Sequence, residues 1–189
     1  MSIRTATFVK GVRGPDAILS DGHDQYAMIG RSNAGKSSLI NSLTNQKGLA
    51  KTSSFPGRTQ ELNFFLINKK FYLVDLPGYG YAKLGHEKRN KLQDLLNWYF
   101  FESGTEIKKV ILIIDAELGP TASDIEMLHA LMLADKDIIV VANKIDKIKK
   151  PSQAKQLEKI KSLIGSHPII PYSSERRTGM NELLKEMLA

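Results

Sequence analysis

The sequence predicts an α/β domain on a mixed, mostly parallel sheet of six strands with helices on both faces. Three observations carry this expectation. From about Gln25 onward, short apolar runs alternate with longer periodic ones, as strands alternate with crossover helices. The runs VILII and IIVVA are continuously apolar, as central parallel strands buried on both faces are. A glycine-rich octapeptide, GRSNAGKS at 30–37, lies directly between a strand candidate and a helix candidate.

Residues 1–22 read as an N-terminal extension packed on a domain spanning 23–189. The first strand candidate, 25–30, leads through the octapeptide into a helix over 36–43. Strands over 62–67 and 71–75 are too close for a crossover helix, so an antiparallel hairpin around Asn68 and Lys69 is expected, which makes the sheet mixed. A helix over 86–101 precedes the strand 110–115. The next helix, 122–134, places Ile125, Leu128, Leu131 and Met132 along one face. Strand 138–142, helix 152–164, strand 169–171 and helix 180–188 complete the order. Stretches 48–60 and 77–85, rich in Gly, Ser, Thr, Pro and Lys, read as loops at the carboxyl ends of strands, where parallel folds meet ligands.

Composition narrows the function classes. At 189 residues, with 42% hydrophobic and 25% charged, the chain fits one folded domain and neither a disordered nor a fibrous protein. Its longest apolar runs contain five residues, against the roughly 20 of a membrane-spanning helix, so no membrane insertion is expected. No apolar block near the start resembles a secretory signal. Cysteine is absent, which excludes disulfides, thiol catalysis and thiolate metal sites. A cytoplasmic monomer is the expectation. The 27 basic against 20 acidic residues give +7, which predicts attraction to polyanions.

The octapeptide Gly30, Arg31, Ser32, Asn33, Ala34, Gly35, Lys36 and Ser37 satisfies GxxxxGK[ST], and Ser38 follows in the same turn. Glycines let backbone N–H groups curl around a phosphate chain, the helix N-terminus supplies partial positive charge, and Lys36 adds a full one. The Ser37 hydroxyl is placed to meet Mg²⁺. A phosphate cradle alone does not separate adenine from guanine. Asn143, Lys144 and Asp146, after the strand 138–142, are the candidate base readers. A carboxylate at Asp146 can accept from guanine N1–H and its exocyclic amine, donors that adenine lacks there, and a site built on such bonds rejects the analogue without them. Asn143 is placed to hold the other edge of the base and the Lys144 stem to cover its face. Ser173 and Ser174 follow the last strand as candidates for the guanine oxygen.

Asp75, Leu76, Pro77 and Gly78 form a DxxG at a strand end. There Asp75 would hold a magnesium-bound water and Gly78 would offer its N–H to the γ-phosphate. Thr59, in Gly57, Arg58 and Thr59, is the choice for a second magnesium hydroxyl, with Thr52 as the rival in the same loop. Lys36, Thr59 and Gly78 are therefore the candidate catalytic residues, and Ser37, Thr59 and Asp75 the candidate metal-site residues.

These residues resemble the YihA/YsxC/EngB family of bacterial ribosome-assembly GTPases, in the translation-factor-related class of P-loop GTPases. The resemblance rests on GRSNAGKSSLIN at 30–41, PGRTQELNFF at 56–65 and DLPGYGYAK at 75–83, and extends over about 28–174. It implies a Ras-like fold, GTP and Mg²⁺ binding, slow GTP hydrolysis, association with the large ribosomal subunit during its maturation, and a requirement for normal division and septation. Many relatives resemble TKxD where this chain has Asn143, and Asp146 is retained.

Ras-like GTPases carry a water-orienting Gln directly after DxxG, whereas this chain carries Tyr79, which predicts weak intrinsic turnover. Asn33 stands where cation-activated GTPases that resemble this chain place a K⁺ ligand, so K⁺ beside the phosphates is a candidate cofactor; a role confined to local hydrogen bonds in the loop is the alternative. Lys83, His86, Lys88, Arg89 and Lys91, with Lys147, Lys149, Lys150 and Lys155, are candidates for a surface that reads ribosomal RNA phosphates, which Arg176 and Arg177 would extend. Trp98, Tyr99, Phe100 and Phe101 read mainly as core. Three functions compete: a GTP-driven switch on the maturing ribosome, an RNA-binding assembly module in which GTP is mainly structural, and a P-loop kinase or ATPase.

Overall fold

A computed structural model of the chain describes residues 2–51, 60–80 and 85–189. Among these residues, seven strands form one sheet in the order β1-β3-β4-β2-β5-β6-β7. They are β1 (Ala6–Val12), β2 (Asp24–Gly30), β3 (Leu62–Ile67), β4 (Phe71–Asp75), β5 (Ile107–Asp115), β6 (Ile138–Asn143) and β7 (Ile169–Pro171). The pairs β4·β2, β2·β5, β5·β6 and β6·β7 are parallel, and β3 is antiparallel to both β1 and β4. Only β3 runs against the rest, so the sheet is mixed and mostly parallel as expected.

The strand count is seven rather than six, and β1 is the addition. It comes from the stretch read as an N-terminal extension. Its end residues Ala6 and Val12 are buried while residues 7–10 are exposed, so no apolar alternation marks it in the sequence. Backbone pairing with β3 holds it instead. The register shift between Phe8 and Lys10 makes its outer edge a poor template for further strands.

Among the described residues, five α-helices cover the sheet: α1 (Lys36–Thr44), α2 (His86–Asn97), α3 (Ala122–Leu133), α4 (Lys150–Ile164) and α5 (Met180–Met187). The helix expected over 86–101 ends early, because Trp98–Glu102 widen into one π-helical turn closed by Ser103 N–H donating to the Trp98 carbonyl at 2.8 Å. This turn buries Tyr99 and Phe100 and leaves Phe101 half exposed.

Side chains of the central strands alternate between two apolar layers, as the two-residue repeat of a strand dictates. Ala27 and Ile29, Val110, Leu112 and Ile114, and Ile138, Val140 and Ala142 face one layer. Leu95 and Leu96 of α2, Leu128 and Leu131 of α3, and Ile160 and Ile164 of α4 pack there. Met28, Ile111, Ile113, Ile139 and Val141 face the other layer, with Leu39, Ile40 and Leu43 of α1 and Leu183, Leu184 and Met187 of α5. In the three-residue connection between β3 and β4, Asn68 and Lys69 both have positive φ (49° and 56°), at the centre of a turn closed by Lys70 N–H donating to the Ile67 carbonyl at 2.9 Å. Because β2, β4, β5 and β6 run in one direction, Gly30, Asp75, Asp115 and Asn143 all end at the same edge of the sheet. Glycine, carboxylates and an amide there replace the apolar residues of the strand interiors.

Candidate functional site

The loop from Gly30 to Gly35 leaves β2 and enters α1 as a tight curl. Ala34 N–H donates to the Arg31 carbonyl at 3.1 Å, Asn33 takes a left-handed φ of 66°, and Gly35 caps α1 with φ 98°. A Cβ on Gly35 would lie 2.3 Å from Asn143 Nδ2, so both its conformation and its crowding call for glycine. Gly30 is crowded in another way: a Cβ there would meet the Ile113 carbonyl oxygen of β5 at 2.3 Å.

Lys36 and Asp75 are the buried charged pair beneath this curl. Lys36 Nζ donates to the Gly30 carbonyl at 3.1 Å, and Ser37 Oγ donates to Asp75 Oδ2 at 2.9 Å. Burial pushes the Lys36 ammonium below its ordinary pKa, against the attraction of Asp75. Burial likewise pushes the Asp75 carboxyl up, against Lys36 and the Ser37 hydrogen bond. Asp75 Oδ1 is buried with no hydrogen-bond partner among the described residues. An orphaned carboxylate oxygen beside a serine hydroxyl is a hard, all-oxygen donor set, the kind that suits a hydrated divalent cation.

Asn143, expected to hold an edge of the base, instead uses its amide to connect the curl to the opposite side of the edge. It is 1% exposed; its Nδ2 donates to the Ala34 carbonyl at 2.9 Å, while its Oδ1 accepts from Ser174 N–H at 3.2 Å and Ser174 Oγ at 3.1 Å. Lys144, with φ 64°, reaches Asp115 Oδ2 at 2.7 Å, so its stem is drawn towards the end of β5. Ser173 Oγ donates to Asp146 Oδ1 and accepts from Arg176 N–H at 3.0 Å. Gly35, Ser38, Asn143, Lys144, Asp146 and Ser174 line a common cavity of about 360 Å³.

The phosphate-loop candidates, DxxG and the base-reading candidates thus converge on one edge from segments far apart in sequence. Leu76 N–H donates to the Met28 carbonyl at 3.1 Å, which carries DxxG alongside β2, and Pro77 and Gly78 are buried there. Thr52, Gly57, Arg58, Thr59 and Lys83 lie outside the described residues. Tyr79 turns its ring into the core and is 7% exposed. Sequence reasoning missed Asp115, although an acidic residue closing a buried apolar strand was the available signal. It also missed Asp124, for which the capping-box spacing of Thr121 and Asp124 ahead of an apolar run was the available signal.

The family model described as a 50S ribosome-binding GTPase matches residues 25–144, and the GTP-binding domain of elongation factor Tu matches 101–189. Over 187 residues the chain is 41% identical to the "Probable GTP-binding protein EngB" of Acholeplasma laidlawii, covering 98% of this chain and 97% of that protein. The chain belongs to the EngB family. A counterpart in Chlorobaculum tepidum is 42% identical over 185 residues, covering 97% of this chain and 96% of its own length. A crystal structure described as an EngB GTP-binding protein shares the fold at TM-score 0.70 and 24% identity, covering 87% of this chain and 96% of that one. Era, solved with MgGDPNP and a stretch of 16S ribosomal RNA, matches at TM-score 0.72 and 25% identity over 87% of this chain and 55% of that one. The chain is accordingly a GTP-binding GTPase with a P-loop. No helix among the described residues is long and apolar enough to cross a membrane.

Proposed function

We propose that this EngB chain is a Mg²⁺-dependent GTP switch that assists assembly of the large ribosomal subunit. The observation that carries the reading is the convergence of the Lys36–Asp75 pair and the Asn143 hub on one sheet edge, where the Asp75 carboxylate accepts from the Ser37 hydroxyl through one oxygen while the other has no hydrogen-bond partner among the described residues.

In this reading the amides of residues 30–38 and Lys36 bind the phosphates of GTP. Incoming phosphate charge relieves the cost of keeping the Lys36 ammonium buried. Ser37 directly, Asp75 through water and Thr59 would hold Mg²⁺. Held by these residues, Mg²⁺ would supply positive charge against the negative charge that develops on the phosphates during transfer. Gly78 offers its N–H to the γ-phosphate, so the DxxG segment and the Gly57–Thr59 loop are drawn in by GTP and released after hydrolysis. Asp146 reads the guanine N1–H and amine, Asn143 holds the base loop to the cradle, and Ser173 and Ser174 close the pocket. Phosphoryl transfer to water depends on positioning and charge neutralisation, and no Gln follows Gly78, which keeps intrinsic turnover slow. A K⁺ ion at Asn33 would supply additional positive charge; equal hydrolysis rates in KCl and NaCl would remove it from the scheme.

The ribosomal partner is supported by the description of the matching family model and by Era's complex with ribosomal RNA, together with the +7 charge. Pelleting with purified large subunits under GTP analogue, GDP and no nucleotide, across a salt series, tests it. Tighter binding with the analogue that weakens steeply with salt is expected. Equal affinity in all three states would favour an assembly module in which GTP is structural. Impaired division and septation on depletion, with precursors of the large subunit accumulating, is the expected cellular consequence.

A further inference from the structure

The residue after Gly78 makes two attachments that no nucleotide motif requires. Through its backbone, Tyr79 joins the phosphate loop: its carbonyl accepts from Ser32 N–H at 3.0 Å, and it pairs with Arg31 in an isolated parallel bridge. Its side chain points the opposite way, and the hydroxyl donates to Asp124 Oδ1 at 2.7 Å. Asp124 is 2% exposed and sits in the first turn of α3. Its other oxygen, Oδ2, accepts from Thr121 N–H at 2.8 Å and Thr121 Oγ1 at 2.7 Å.

A capping box needs only one carboxylate oxygen to satisfy the helix start. Here the second oxygen is aimed at a phenol 45 residues away in sequence, across the apolar layer that α3 shares with the sheet. Burial, reinforced by that carboxylate, pushes the Tyr79 phenol above its ordinary pKa, so it remains a hydrogen-bond donor. Gly80, the next residue, has φ 75°, a conformation at which a chain bends readily. The anchor is therefore placed between the DxxG segment and a bend.

We propose that Asp124 is a positioning residue for GTP hydrolysis, acting through the Tyr79 hydroxyl to hold the Gly78 amide in register with the phosphate loop. This rests on the reading of Gly78 as a donor to the γ-phosphate. Tyr79 is adjacent to Gly78, so release of its side chain leaves the neighbouring peptide held only by the backbone contacts to Arg31 and Ser32. Misplacement of a reacting group by about 1 Å can cost on the order of a hundredfold in rate.

The test compares Tyr79→Phe, which keeps the ring and loses only the hydroxyl, with Asp124→Asn and the double variant. Thr121→Ala serves as a control, because its backbone amide still holds Asp124 while the cap is weakened. For each, kcat and KM for GTP, the Kd for GDP and urea unfolding are measured. Both single variants should lower kcat about tenfold with GDP affinity within about twofold, and the double variant should be no slower than the slower single one. Thr121→Ala should lose stability and keep its kcat. A kcat for Tyr79→Phe that is unchanged or raised overturns the proposal, as do multiplicative effects in the double variant or a fall in kcat matched by an equal fall in GDP affinity. If the parent chain binds no GDP, the reading of the nucleotide site fails first and this proposal with it; if the parent binds and hydrolyses normally, only the anchor is in question.

Discussion

Replacing Asn143 by alanine would remove the amide that ties the phosphate loop to the base-reading loops. Three hydrogen bonds disappear: to the Ala34 carbonyl, from Ser174 N–H and from Ser174 Oγ. At a net worth of about 0.5–1.5 kcal/mol each, their loss sums to roughly 1.5–4.5 kcal/mol. Asn143 is 1% and Ala34 2% exposed, so the Ala34 carbonyl cannot turn to bulk water without rearrangement, which places the expected value in the upper half of that range. Such a change is a large fraction of the about 5–15 kcal/mol that holds a domain folded. Urea unfolding of the nucleotide-free protein should show the midpoint falling with an unchanged slope. GDP affinity measured by calorimetry should fall at least about tenfold, because the cradle and base pocket lose their shared anchor. Asn143→Thr, whose hydroxyl can keep one of the contacts, should lose less on both measures. An unfolding free energy for Asn143→Ala within about 0.5 kcal/mol of the parent would show that the hub does not hold the site together.

Two further perturbations probe the frame around the site. Gly30→Ala puts a methyl group 2.3 Å from a backbone oxygen of the neighbouring strand, so β2 and β5 must separate; a loss of at least about 2 kcal/mol in urea unfolding is expected, while Gly14→Ala, with open space around it, should stay within about 0.5 kcal/mol. At alkaline pH, Tyr26, Tyr72, Tyr79, Tyr99 and Tyr172 all have raised pKa values, with burial the leading cause, and Tyr72, hydrogen-bonded to Asp21, is pushed up to about 12. The unfolded chain releases these protons first, so this stability is fully present below the ordinary phenol value of 10.0 and is lost as pH rises, the Tyr72 share between 10.0 and about 12. Phenolate absorbance should therefore rise together with loss of structure, and five phenols titrating freely near 10.0 in a still folded protein would contradict the burial argument.

How much of the fold was legible depended on whether burial left a pattern in the chain. β5 and β6 are buried on both faces, so VILII and IIVVA announce them. β1 is an edge strand with residues 7–10 exposed, and what fixes it is the row of backbone groups offered by β3, which leaves no mark on side-chain choice. The early end of α2 was hidden for a related reason: WYFF continues an apolar helical pattern, and only packing of Tyr99 and Phe100 selects the wider turn.

Among the site residues, those that work through backbone curvature or a local run are written contiguously. Gly30 to Ser37 must be consecutive because successive amides form the cradle, and the base readers and DxxG each occupy one short loop at a strand end. That chemistry is determined by the sequence alone. Which groups support it from a distance was decided by the sheet order and the helix packing: Asp115 under Lys144, Asn143 on Ala34, and the inward turn of Tyr79 to Asp124. These contacts join residues 29, 109 and 45 positions apart, and no spacing rule encodes such pairs, because their distance is set by the packing of whole strands and helices.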